Sequence, residues 1–444
     1  MPGHFDLVIT TDNARRIAEF FLRDSAGVQL AYRSADFTAV PVGRQQALFD
    51  LRDYLRLYVE EGNEDAAVAE AGAWIAEDLL GKEIFEKLWT STSQRTLRIQ
   101  LPGAAEEGNH LAAALARVPW EIARPRADAE TLADRNLLVR VVHDMTPPAS
   151  TPIGLAPGEA LRVLFVFAEA RGSRPLAARR ERRELLRLFE KEIYPQRRIV
   201  AHFLTHGVTR ERLEAQVREN NGYHVVHWSG HGHMNLLELC KPGGAPDHLS
   251  GQELLDLFND AGGFLPRLFF LSACHSGDIV AVKDWNDFIA VAQGKKPRFR
   301  DVEPRQLDLT TPPGYTGTAH ALLQGGVPSV VAMRYAVGDD YARELGVEFY
   351  RALLAHAQPK NAAAALTMAR HALRDGANHD RVRFDACDHA TPVLYGEEQP
   401  GLTLVTGRSS GRSASSGCCS IRPSPAPSAS RPRSATSTRG SWAS

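Results

Sequence analysis

The stretch HVVHWSGHGHMN, His224–Asn235, places four histidines within ten positions, where an apolar run breaks against glycines. A second stretch, PRLFFLSACHSGD, Pro266–Asp278, breaks in the same way at Cys274. Short apolar runs closed by turn residues read as strands buried on both faces, which need helices above and below them. The flanking sequence supplies those helices. From Leu161 the chain alternates LRVLFVFAEA (strand), LAARRERRELLRLFEKEI (helix), RRIVAHFLTH (strand), TRERLEAQVRENNG (helix), YHVVHWSG (strand), LSGQELLDLFNDAGG (helix) and RLFFLSA (strand). TGTAHALLQGG and PSVVAMRYA add a helix and a strand. Helices follow over 339–356, with Asp339 and Asp340 as cap candidates, and over 361–374, opened by Asn361. ATPVLYGEE reads as a closing edge strand. Such alternation predicts an α/β fold with a mostly parallel sheet flanked by helices on both faces.

Upstream, residues 1–144 read as an N-terminal α+β region of docking or regulatory character. FDLVIT and GVQLAYRSADFTAV are strands there, and RQQALFDLRDYLRLYVEE is one amphipathic helix. A second helix carries Trp74, Ile75, Leu79 and Phe85, while TLRIQL, VPWEIA and NLLVRVVHD read as short strands. Residues 145–160 are rich in proline and glycine and form the boundary to a core domain over 161–406. Residues 407–444 hold Ser, Pro, Ala and Arg and no acidic residue, a composition that predicts a disordered tail.

A chain of 444 residues with a net charge of −1 gives no bulk reason to expect nucleic acid or an anionic membrane as partner. No apolar run approaches the roughly 20 residues that span a bilayer, and the start lacks a secretory h-region. Five cysteines make no disulfide framework, so the expected setting is reduced and cytoplasmic. No phosphate-loop motif occurs, so ATP is not implied.

In an open parallel sheet the working groups gather at the carboxyl ends of strands. His231 and Cys274 each fall just past such an end. If the two strands are neighbours, the side chains emerge at one edge, as a thiol nucleophile and its imidazole base require. Gly230 and Gly232 permit a sharp turn, and the amides of Gly232 and Cys274 would face a developing oxyanion. Of the other histidines, His224 and His227 read as strand residues, and His233 and His275 as loop residues. Zinc held by His227, His231 and Cys274 is a competing reading, weakened because the i, i+4 spacing suits a helix and this stretch is strand and loop.

The order SGHG then LSACHSG, each after an apolar strand, resembles the caspase-like clan of cysteine proteases, and within it the CHAT family, relatives of caspases and separase. RVPWEIARP, AHALLQGGVPSVVAMRYAVGDDYARELGVEFYRALL, NAAAALTMARHALRDG and ATPVLYGEE resemble further family segments in the same order. The resemblance implies a caspase-like fold, a Cys-His dyad without metal or organic cofactor, His231 as base and Cys274 as nucleophile. It also implies cleavage of a protein substrate under control of an activating sensor, in a bacterial defence or cell-death pathway. Tyr335 departs from the family, which usually carries Trp there. The long segment 279–314 matches the loop that caspase-like enzymes cut or rearrange on activation.

Glu169 ends the first core strand and Asp339 follows the strand PSVVAMRYAV. An acidic floor built from them would select Lys or Arg before the scissile bond, as separase-like relatives do, whereas Arg171 and Arg334 point towards an acidic residue. Two other functions stay open: a catalytically silent CHAT-fold scaffold and a zinc hydrolase.

Overall fold

A computed structural model describes residues 4–90, 95–102, 110–135, 137–143, 154–156, 158–171, 173, 176, 178–233, 236–273, 317–335, 337–355, 361–374, 384 and 387–396. Cys274, His275, the 279–314 segment, the 407–444 tail and most of the 145–160 boundary lie outside these described residues.

Among the described residues the main sheet has eleven strands, in the order β3-β2-β1-β4-β5-β14-β13-β12-β8-β6-β7. β1 is His4–Asp12, β2 Ile17–Asp24, β3 Gln29–Asp36, β4 Arg95–Leu101 and β5 Leu137–His143. β6 is Leu161–Ala168, β7 Ile199–Leu204, β8 Val225–Gly230, β12 Leu268–Ser272, β13 Ser329–Met333 and β14 Pro392–Gly396. A separate three-stranded sheet joins β9, Gly232–His233, β10, Leu236–Cys240, and β11, Pro246–Ser250.

β7, β6, β8, β12 and β13 are mutually parallel. The chain runs from β6 outward to β7, then returns past β6 to β8 and continues in the other direction. That reversal creates a switch point between β6 and β8, where loops diverge and leave a crevice outside the carboxyl ends. β14 pairs antiparallel to β13, and on its far side meets β5 in parallel at Tyr395↔Val141. The closing strand is therefore an interior one. Sequence alone suggested an edge because the strands that cover it lie more than 200 residues upstream. Through this pairing the N-terminal strands and the core domain share one sheet.

Alternation along the parallel strands sends side chains into two cores. Leu164, Val166, Val226, Trp228, Phe269 and Leu271 belong to one cluster, which includes Leu213 and Leu254 from the helices Arg210–Glu219 and Gly251–Asp260. Val163, Phe165, Val225, Leu268 and Phe270 belong to the other, under helices Ala178–Leu188, Asp339–Tyr350 and Ala362–Arg374. Both faces are thus covered, which is why these strands lack a polar face. The helix Gly251–Asp260 opens with a reciprocal capping box between Ser250 and Glu253. Asn361 caps its helix by accepting from the Ala364 amide at 2.7 Å. Gly338, rather than an aspartate, holds the cap position of the helix Asp339–Tyr350.

Two other local readings change. The single helix expected over 44–61 is broken at Asp50, which stands at φ −144°, ψ 80° between helices Val42–Phe49 and Leu51–Tyr58. The Asp50 carboxylate takes the fully buried Arg117 guanidinium at 2.7 Å, a partner that periodicity does not show. VPWEIA forms a tight turn at Trp120–Ile122 instead of a strand.

Candidate active site

β8 and β12 are adjacent and parallel, in the register Leu268↔Val225 through Ser272↔Ser229. His231 follows Ser229 by two residues, and position 274 follows Ser272 by two. Neighbouring strands lie about 4.8 Å apart, so equal offsets start both loops from adjacent points on one edge. The last described residue on the β12 side is the buried Ala273.

His231 and Gly232 are half-buried, and the His231 carbonyl accepts from the Glu238 amide at 3.0 Å. Gly232 pairs with Leu237 as the small sheet starts. The histidine loop is therefore pinned on both sides, by the ladder of β8 before it and by β10 after it. Gly230 is required by contact: a Cβ there would lie 2.8 Å from the Ala168 carbonyl oxygen at the end of β6.

Glu169 and Arg171 leave the end of β6 beside this loop. The Glu169 carbonyl accepts from the Cys240 thiol at 3.1 Å, and the Arg171 amide donates to the Gly244 carbonyl at 2.7 Å. These two bonds tie the β6 loop to the small sheet. Burial, then the charges of Glu238 and Glu169, push the Cys240 thiol up, so it is a poor nucleophile. The buried Glu238 carboxylate accepts from the Ser173 hydroxyl at 2.6 Å and places a second carboxylate under the same loop. Glu238 carries no clear sequence signal, because its five-residue strand is too short to show a pattern. The structure thus assembles His231, Gly232 and Glu169 at one edge. Asp339 is exposed in the first turn of the helix that follows β13.

Arg334 is not available to a substrate. It is fully buried after β13, where Nη1 lies 3.3 Å from Glu121 Oε2 and donates to the Ala390 carbonyl at 2.8 Å. Glu121 also takes Arg370 at 3.2 Å. Burial would raise the Glu121 carboxyl, but the two guanidinium charges outweigh it and hold the group below its usual range. The Pro-Trp-Glu turn thus fastens the N-terminal region to the β13–β14 side of the core, next to β5. Tyr335 is buried beside it and donates its hydroxyl to the Arg117 carbonyl at 3.0 Å.

His224 and His227 are both enclosed. His224 Nδ1 accepts from the Arg162 amide at 3.0 Å, while His227 Nε2 lies 3.1 Å from Glu181 Oε1. Aromatic rings of Phe165, Phe270 and Tyr350 surround His227, which removes it as a partner of His231 in a zinc site.

The model of one domain family, the CHAT domain, matches residues 20–402. The chain belongs to the CHAT domain family. No curated protein matches it. Among solved structures, this CHAT protein is similar to separase of Saccharomyces cerevisiae in its complex with securin, at 14% identity and a TM-score of 0.36. That match covers 68% of this chain and 15% of separase, so the chain spans a small part of that relative's length. A structure titled as a protease matches at 10% identity and a TM-score of 0.41, over 77% of this chain and 70% of its own. The CHAT match runs across both the N-terminal strands and the core domain, in keeping with the sheet that joins them. Among the described residues no helix is long and apolar enough to cross a membrane.

Proposed function

We propose that this CHAT protein is a cysteine endopeptidase in which Cys274 attacks a peptide carbonyl and His231 acts as its base. The observation that carries the reading is the register of β8 and β12, which launches the two loops from equivalent points on one edge, beside the β6–β8 switch point. His231 accepts the thiol proton and gives it to the leaving amine, releasing the first product and leaving a thioester. It then takes a proton from water, whose oxygen attacks the thioester and frees the second product and the thiol. The amides of Gly232 and Cys274 face the oxyanion.

Glu169 leaves the edge next to His231, and Asp339 is exposed after β13. With Arg334 buried against Glu121 and the Arg171 side chain lying against Gly244, the carboxylates of Glu169 and Asp339 favour Lys or Arg before the scissile bond. The setting is a cytoplasmic, sensor-activated proteolytic pathway of bacterial defence or cell death.

The test is a cleavage profile on a proteome-derived peptide library, read by mass spectrometry for wild type and Cys274→Ala. Cuts after Lys or Arg made only by wild type are expected. Identical profiles from both proteins, with the activator present, would favour a scaffold.

A further inference from the structure

Glu181 lies in an arginine-rich helix yet is 4% exposed. It occupies the apolar stripe of that helix, with Ala178, Leu185 and Leu188. Its carboxylate is divided between two residues of β8: Oε1 lies 3.1 Å from His227 Nε2, and Oε2 accepts from the Ser229 hydroxyl at 2.5 Å. The His227 ring lies flat on Phe270, with centroids 5.0 Å apart and planes 11° from parallel. The helix Asp339–Tyr350 closes over the pair at Gly346, where a Cβ would come 3.4 Å from His227 Cε1 and 3.5 Å from Glu181 Oε1. Among the described residues, Tyr350 is a further titratable group against this box; burial, then the Glu181 charge, raise its phenol well above the usual range.

A leucine at 181 would complete the stripe without burying a carboxylate, and a buried carboxylate is costly unless its lone pairs are used. The two bonds fall on alternate residues of β8, at 227 and 229, and His231 comes next in that series just past the strand end. From the other side, the Glu238 amide holds the His231 carbonyl. The loop that carries His231 therefore hangs between two fixed points, one of which is the Glu181 carboxylate.

We propose that Glu181 is a positioning residue for His231: by gripping Ser229 and His227 from the neighbouring helix, it fixes the end of β8 so that the imidazole stands at one place relative to Cys274. The inference rests on the dyad reading above. A base displaced by about 1 Å can lose on the order of a hundredfold in rate.

The test needs no substrate. Full-length protein is alkylated with iodoacetamide over a pH series from about 5 to 9, and the Cys274 peptide is followed by mass spectrometry. An imidazole-paired thiolate reacts well below the ordinary thiol range near pH 8.5. Wild type is expected to show that low-pH reactivity, and His231→Ala to lose it. Glu181→Gln and Ser229→Ala, both of nearly native volume, are expected to cut the rate at about pH 6 roughly tenfold and to move the profile towards a free thiol. If His231→Ala abolishes the low-pH reactivity and both variants retain it, the positioning role is overturned while the dyad stands. The same holds if the variants lower the melting temperature without changing the profile. If wild type and His231→Ala coincide, the dyad reading falls, and this inference with it.

Discussion

Removing the Glu121 carboxylate with Glu121→Ala should destabilise the protein severely, because two buried cations lose their counter-charge at once. Arg334 is 0% and Arg370 7% exposed at the side chain, and they approach Glu121 at 3.3 and 3.2 Å. Breaking a buried ion pair by deleting one partner costs about 3–5 kcal/mol, since the charge left behind has neither water nor partner. The Ala390 carbonyl still takes Arg334, which argues for the lower half of that range. For a chain of this size, each kcal/mol moves the unfolding midpoint by about 1 °C, giving an expected fall of roughly 3–4 °C by scanning fluorimetry. Arg334→Met in the same background should recover part of the loss, with a coupling of about 0.5–3 kcal/mol. The acid limb carries the same signature. The folded Glu121 value lies below the unfolded one, so its contribution is complete above the unfolded value, about 4.3, and is lost as pH falls through the folded one. Glu121→Gln should flatten that limb. A fall below about 2 °C for Glu121→Ala, or strict additivity with Arg334→Met, would refute the buried network as a fastener.

Gly230→Ala places a Cβ 2.8 Å from the Ala168 carbonyl; a destabilisation of about 1–3 kcal/mol is expected by thermal melt, with slower Cys274 labelling because the β8 end must shift. Ser250→Ala removes the capping box of the helix Gly251–Asp260 and should cost about 1 kcal/mol, measured by the same melt, without changing the pH profile of labelling. Burial holds His320 and His389 down at about 4, below an unfolded value near 6.5. The unfolded chain therefore binds protons first, so stability is complete above about pH 6.5 and falls as pH drops towards 4. His320→Gln should weaken this dependence, and an unchanged pH–melting curve would refute it.

The strand–helix order of the core was legible because those strands are short, apolar and closed by glycine or polar loops. The placement of His231 two residues beyond Ser229 follows from that pattern. Glu181 carried a signal that was passed over: it sits three residues after Ala178 and four before Leu185, on the buried stripe, but the surrounding arginines made the helix look solvated. The roles of Asp50 and Glu121 and the interior place of β14 were not legible locally. Their structural roles come from Arg117, Arg334 and β5, and no periodicity links residues so far apart in sequence. The small sheet β9–β11 escaped for a related reason. Its strands are five residues or fewer and follow glycines that read equally well as loop.

The most direct test of the Cys274–His231 dyad is to treat the protein with a peptidyl electrophile bearing Arg or Lys next to its reactive carbon and to map the modified residue. The predicted result is modification at Cys274, well ahead of the buried Cys240 and Cys387, falling at least tenfold in His231→Ala. Equal modification in wild type and His231→Ala, or labelling spread over the other cysteines, would contradict it.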